Sequence, residues 1–221
     1  MIRGIVFDFD GVLADSELFH LRSYQEILAA AGIELTKEQY WNRYLGLDDV
    51  GVFSQIASDK GLLVADEELE LLIREKSRRF EALVTRENVL FPAAVGVVRA
   101  LAAEWPLGIA SGSLRREIDL MLQGAALSDA FKFIVSADDT DRSKPAPDPY
   151  LLAVERHGVR ASECVAIEDS HQGLQSARAA GLRTVAVAST YPPDSLTSLA
   201  DVVVDGIEQI TVEFITALAR G

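Results

Sequence analysis

Apolar and polar residues follow two textures along this chain. The run "GIVF" (residues 4–7) is continuously apolar and ends in Asp8, which predicts a buried strand over residues 3–8. Residues 17–86 carry apolar positions at helical spacing almost throughout, so the block reads as a set of helices broken near Gly32, Gly46 and Gly61. After Pro92 the texture changes: strand-like runs at 107–110, 131–135, 164–168, 183–187 and 201–204 alternate with helical stretches. Strands that alternate with helices build a parallel sheet covered on both faces. The strands also lack apolar–polar alternation, as expected when both faces are buried.

Helix ends sharpen the reading. Asp148-Pro149 fits an N-cap followed by the first helical residue, with Gly158 as the stop. Ser170 caps a helix that ends at Gly181, and Pro92 opens the helix after the helical block. One strand precedes the block and several follow it. The expected fold is therefore α/β, a Rossmann-like parallel-sheet core of residues 1–15 and 87–221, with a helical cap-sized domain, residues 16–86, inserted after the first strand. No internal repeat and no low-complexity segment interrupts this order.

Composition narrows the partners. A net charge of -13 argues against a general nucleic-acid binder, which needs a basic surface to displace counterions. It leaves room for a small phosphorylated ligand, because one local cation can dominate a pocket. Cys164 is the only cysteine, so there is no internal disulfide and no cysteine-based metal site. The N-terminal residues do not read as a signal peptide and no apolar stretch is long enough for a membrane span. The expectation is a cytoplasmic protein without a membrane partner, a monomer or weak dimer.

Ligands of open α/β sheets bind beyond the carboxyl ends of the strands, so the polar residues at those ends are the candidates for chemistry. Asp8 and Asp10 follow the first strand. Ser111, Gly112 and Ser113 follow "PLGIA", Lys144 lies in "DRSKPAPDP", and Glu168 and Asp169 follow "CVAI". These groups are distant in sequence, and a parallel sheet would bring them to one edge. So many carboxylates in one pocket require a cation, and an oxygen-only set with few ligands suits Mg²⁺. Lys144 adds positive charge, while Ser111 and neighbouring amides can donate to phosphate oxygens. A cation, a lysine and oriented donors around one carboxylate are the parts of phosphoryl transfer. One carboxylate can act as nucleophile and its neighbour as general acid and base.

Together the motifs resemble the haloacid dehalogenase-like superfamily, and within it the capped phosphatases and β-phosphoglucomutase-like enzymes. "FDFDGVLADS" is similar to the first motif, "ASGS" to the second, "KPAPDPY" to the third and "IEDSHQG" to the fourth, in the family's order and over essentially the whole chain. The resemblance implies Asp8 as nucleophile and Mg²⁺ ligand, and Asp10 as general acid/base that lends the metal its backbone carbonyl. It implies Ser111, Gly112 and Lys144 as holders of the transferring phosphoryl group, and Glu168 and Asp169 as metal ligands.

The inserted helices are expected to choose the substrate. His20 shares a face with Tyr24, Ile27 and Ala31, and could be either a hydrogen-bonded buried histidine or a residue of the site. Lys76 falls inside the apolar stripe of the last inserted helix, where a lysine can also snorkel to water. The turn "YLGLDD" brings Gly46 and Leu47 toward the site in the family. Mutases place an arginine near this turn, where Asp48 and Asp49 stand here, with Arg43 as a partial substitute. His20, Gly46, Leu47, Lys76 and Ser113 are thus the expected substrate contacts. Cys164 reads as a small buried residue, His157 and His171 as surface residues, and Trp41 and Trp105 as packing residues.

Three functions are weighed. The first is a Mg²⁺-dependent phosphatase of a small sugar or polyol phosphate, working through an aspartyl-phosphate on Asp8. The second is a sugar phosphomutase of the β-phosphoglucomutase kind, disfavoured by the acids in the turn. The third is a non-catalytic phosphate-sensing module, which the Asp-x-Asp pair and the large insertion oppose.

Overall fold

A computed structural model describes residues 1–87 and 89–219. The chain divides into two compact units, Met1–Asp15 with Val89–Gly221, and Ser16–Asn88.

The first unit is built on six strands: β1 (Gly4–Phe7), β2 (Leu107–Ala110), β3 (Phe131–Val135), β4 (Cys164–Glu168), β5 (Arg183–Val187) and β6 (Val202–Val204). They form one parallel sheet in the order β3-β2-β1-β4-β5-β6. The strands coincide with the apolar runs of the sequence to within a residue at each end. In β1, Val6 pairs with Gly108 on one side and Ala166 on the other. Ile5, Val6 and Phe7 are wholly buried, as are Val165, Ala166 and Ile167, so both faces of the central strands are covered.

Within one cluster, Val6, Ala110, Val135, Cys164 and Ala166 pack with Tyr150 and Ala153 and with Ala177 and Ala180. The helices of this unit and of the insertion are, in chain order, α1 (Glu17–Ala30), α2 (Lys37–Arg43), α3 (Asp49–Asp59), α4 (Asp66–Val84), α5 (Ala94–Ala102), α6 (Arg115–Gly124), α7 (Asp148–His157), α8 (His171–Ala179), α9 (Pro193–Leu196) and α10 (Val212–Leu218). Ser170 caps α8 by accepting from Gly173 N–H at 3.0 Å, and Gly158 ends α7 with φ 70°. Pro147, not Asp148, is the N-cap of α7, so that helix begins one residue earlier than the Asp-Pro signature suggested. No described helix is long and apolar enough to cross a membrane.

His157 corrects the expectation of a surface residue: it is buried, only 6 % exposed. It lies in the last turn of α7 against β1, where Gly4 makes room for it. A Cβ on Gly4 would stand 2.9 Å from the imidazole. His157 Nε2 lies 3.3 Å from Ile5 O, and the ring meets Phe133 edge-on at 4.8 Å.

The second unit holds α1 to α4, with α1 and α3 packed on α4. The breaks fall where expected: Gly32, Gly46 and Gly61 have φ of 71°, 81° and 66°, left-handed values that glycine adopts without a Cβ penalty. Asp48 caps α3 by accepting from Gly51 N–H at 2.7 Å. Buried Lys76 and half-buried Asp49 form an ion pair, 2.9 Å between Nζ and Oδ1, and Tyr24 donates to the same Asp49 oxygen. The Lys76 ammonium also lies 5.3 Å from the Tyr24 ring and 5.0 Å from the Phe80 ring. His20 stacks on Phe80 with centroids 4.1 Å apart. Arg43 is bound to Asp59 at 2.6 Å.

Candidate active site

β1 ends at Phe7, and Asp8 continues its ladder by donating its N–H to Ile167 O at 2.8 Å. Asp8 therefore emerges at the carboxyl edge of the sheet beside Glu168 and Asp169, which follow from the end of β4. On one side of β1 lie β2 and β3, on the other β4 to β6. That reversal of strand order is where open parallel sheets take ligands.

Asp8, Glu168 and Asp169 are buried, and each offers a carboxylate oxygen within 4.8 Å of the others. Lys144 reaches them from the loop before α7. Its Nζ lies 2.8 Å from Asp8 Oδ1, 2.6 Å from Glu168 Oε1 and 2.8 Å from Ala110 O, so each of its three N–H bonds has an acceptor. Glu168 is held from every side. Tyr150 donates its hydroxyl to Oε1 at 2.9 Å. Oε2 accepts from Asp169 N–H at 3.1 Å, Ser170 N–H at 3.3 Å and Ser170 Oγ at 3.1 Å.

Burial and then the charge of Glu168 push the Asp8 carboxyl well above its usual range, against the pull of Lys144. Burial alone would lower the Lys144 ammonium, but the charges of Asp8 and Glu168, and its hydrogen bonds to both, hold it above its ordinary value. Burial and the Glu168 charge also raise Tyr150 well above 10, which keeps its hydroxyl a donor.

Asp10 serves a different part of the edge. Ser113 donates its hydroxyl to Asp10 Oδ2 at 2.5 Å, and Ser111 Oγ stands 3.5 Å from the same oxygen. Ser111 Oγ accepts from Ser113 N–H at 3.0 Å, ahead of the N-cap of α6 at Leu114. Two glycines keep room around the other acids. Gly11 turns the chain with φ 78°, and a Cβ there would fall 1.9 Å from Asp169 Oδ2. A Cβ on Gly173 would fall 1.8 Å from Glu168 Oε1.

The donor set fits a hard divalent cation. It is made of oxygens only, and the three crowded carboxylates carry more charge than the Lys144 ammonium bonded to two of them. Asp8, Glu168 and Asp169 could hold such an ion.

The fold thus gathers Asp8, Asp10, Ser111, Gly112, Ser113, Lys144, Glu168 and Asp169 from four separate stretches of chain. His20, Gly46, Leu47 and Lys76 belong to the helical unit: His20 is stacked on Phe80, Lys76 is bonded to Asp49, and Gly46 and Leu47 form the turn before α3. The acids of that turn are also occupied, Asp48 as a cap and Asp49 by Lys76 and Tyr24. Two residues were missed. Tyr150 stood only as the last residue of the third motif and Ser170 only as a cap, yet both hold Glu168. A phenol tip in the first turn of a helix at the carboxyl edge of the sheet was the available signal for Tyr150.

Comparison with known proteins agrees with this geometry. The family model described as haloacid dehalogenase-like hydrolase matches residues 5–187. The protein CbbY of Rhodobacter capsulatus is 31 % identical over 207 residues, covering 90 % of this chain and 91 % of its own. The fructose-1-phosphate phosphatase YqaB of Escherichia coli K12 is 30 % identical over 184 residues, covering 83 % of this chain and 95 % of its own. A crystal structure of a CbbY mutant from Rhodobacter sphaeroides in complex with xylulose-(1,5)bisphosphate superposes with a TM-score of 0.85 at 27 % identity, covering 95 % of this chain and 96 % of that one. With the four motifs assembled at one sheet edge and the match running from β1 through β5, the chain belongs to the haloacid dehalogenase-like hydrolase family and is a phosphatase of that family.

Proposed function

We propose that the chain hydrolyses a small sugar or polyol phosphate in a Mg²⁺-dependent reaction through an aspartyl-phosphate on Asp8. The observation that carries this reading is the buried junction of Asp8, Lys144 and Glu168, with Asp169 alongside, at the carboxyl edge of the sheet. Asp8 attacks phosphorus, and the bond to the leaving ester oxygen breaks as Asp10 gives that oxygen a proton. Water then attacks the phosphorus of the aspartyl-phosphate, Asp10 takes the water's proton, and Asp8 is released with inorganic phosphate. Lys144 and Ser111 hold the phosphoryl oxygens during both transfers, together with the backbone at Gly112. Asp8, Glu168 and Asp169 would hold Mg²⁺, with the Asp10 carbonyl, and the ion would supply positive charge to the phosphoryl oxygens in the transition state.

The substrate class is supported by the relatives, one a fructose-1-phosphate phosphatase and another crystallised with a ketose bisphosphate. In this reading the helical unit is the cap, and His20, Gly46, Leu47 and Lys76 choose the group that carries the phosphate.

Release of inorganic phosphate from a panel of ketose, aldose and polyol phosphates, phosphoglycolate and nucleotides is the test. Release from sugar or polyol phosphates that needs Mg²⁺, stops with EDTA and disappears in Asp8→Asn is the expected result. Activity retained by Asp8→Asn would remove the nucleophile assignment. Negligible release across the panel would overturn the hydrolase chemistry in favour of phosphoryl transfer between sugars, read as isomerisation with a bisphosphate primer.

A further inference from the structure

We infer that Ser113 is a positioning residue for Asp10, fixing the carboxyl group that moves the proton, and that it is not simply a substrate contact. The inference rests on the general acid/base role proposed for Asp10 and deepens it. Ser113 is buried, and its backbone is pinned on both sides. Its N–H donates to Ser111 Oγ at 3.0 Å and its carbonyl accepts from Ala137 N–H at 3.0 Å. Ser111 is pinned in turn by its own N–H to Val135 O at 2.9 Å. The hydroxyl of Ser113 is therefore carried on backbone locked to the end of β3, and it meets Asp10 Oδ2 at 2.5 Å, a short charge-assisted contact.

The two serines divide their work. Ser111 stands 3.5 Å from Asp10 Oδ2, a distance at which little of a hydrogen bond is left, and its hydroxyl can turn to a phosphoryl oxygen. Ser113 makes the short bond. Asp10 follows β1 on a turning loop, so its carboxyl plane needs an external anchor to be aligned with the leaving oxygen. With Oδ2 anchored on Ser113, the carboxyl group is oriented to hand a proton to the leaving oxygen. As the phosphorus–oxygen bond to the leaving group breaks and that to Asp8 forms, this proton passes to the leaving oxygen.

A series of phenyl phosphates tests this, because para-nitro, unsubstituted and para-methoxy rings differ in leaving-group basicity but offer Ser113 no hydroxyl to bind. The quantity read is kcat/KM, which reports steps up to the first phosphoryl transfer. Proton donation by a well-placed acid is worth roughly a hundredfold or more for a basic leaving group and little for an acidic one. In Ser113→Ala, para-methoxyphenyl phosphate should lose about tenfold relative to para-nitrophenyl phosphate, a part of that acid effect. Ser113→Thr, which keeps the hydroxyl, should restore the wild-type dependence on leaving group. Asp10→Asn is the reference and should show the steepest dependence.

If Ser113→Ala slows all three esters equally while Asp10→Asn discriminates among them, the positioning role is overturned and Asp10 keeps its own. If Asp10→Asn itself leaves the dependence unchanged, the acid role of Asp10 fails, and the inference about Ser113 falls with it.

Discussion

Replacing Gly173 by alanine sets helix propensity against the geometry of the site. Gly173 is the third residue of α8 and its φ lies outside the left-handed region, so alanine costs nothing in backbone strain. Propensity alone makes the variant more stable by about 1 kcal/mol. The structure demands the opposite sign. The three atoms nearest the new Cβ are all from the Glu168 carboxylate, at 1.8, 2.0 and 2.1 Å. Ordinary contact would require that carboxylate to retreat by roughly 1.5 Å. Glu168 is wholly buried, and its two oxygens accept from Lys144, Tyr150, Asp169 N–H, Ser170 N–H and Ser170 Oγ. A retreat of that size breaks at least two of these bonds.

Hydrogen bonds to a charged group are worth about 1.5–3 kcal/mol each, so two lost bonds cost about 3–6 kcal/mol. Subtracting the propensity gain leaves a net destabilisation of about 2–5 kcal/mol. In a chain of this size that lowers the melting temperature by roughly 4–20 °C. Urea unfolding without added metal is the assay, followed by fluorescence of Trp105 in a Trp41→Phe background. The chain has two tryptophans, so Trp105, which lies just before β2, then reports on the core alone. A Gly173→Ala variant as stable as its parent, or more so, would refute the reasoning, because Glu168 would then have been free to move.

Three further outcomes are expected. Mg²⁺ at a hundred times its Kd should raise the unfolding free energy of the core by about 2.7 kcal/mol, and the rise should vanish in Asp169→Asn. A rise that persists in that variant would show binding elsewhere. Burial pushes His157 below its usual value, with the Lys132 charge adding to the effect and the Ile5 carbonyl opposing it. The unfolded chain therefore binds a proton there first, and stability falls as pH drops through about 6.5 toward the depressed folded value. Comparing the pH dependence of urea midpoints should give a shallower slope in His157→Gln, and an unchanged slope would remove this residue as the cause. Breaking the pair between buried Lys76 and half-buried Asp49 by Lys76→Met should cost about 1.5–3 kcal/mol, the worth of a hydrogen bond to a charged group, and adding Asp49→Asn should recover part of it. Unfolding followed at Trp41 measures both, and full additivity of the two substitutions would count against the pair.

Apart from Lys144, which lies in the loop before α7, the residues that make the site were readable because they stand where a short apolar run ends. Asp8, Ser111 and Glu168 sit one residue beyond, or at the end of, a run of four or five residues, and run lengths report strands directly. Helix breaks were equally legible, since Gly32, Gly46 and Gly61 are glycines in conformations that other residues avoid. Strand pattern and loop order were enough to bring the motifs to one edge of a parallel sheet, because parallel strands all point their carboxyl ends the same way.

What faces what was decided only by the tertiary structure. Periodicity tells which side of its own element a residue occupies, and it carries nothing about the element packed against that side. His157 looked like a surface histidine because its burial depends on Gly4, some 150 residues earlier, leaving space on β1. The role of Tyr150 was not legible because the acceptor for its hydroxyl comes from β4. The bond between Ser113 and Asp10 was not legible because Asp10 belongs to the loop after β1. Lys76 looked able to snorkel, while the carboxylate that neutralises it enters from the start of α3. In each case the local pattern determined the element, and the pairing of side chains followed from the register and twist of the sheet and the packing of helices, quantities that exist only once the chain is folded.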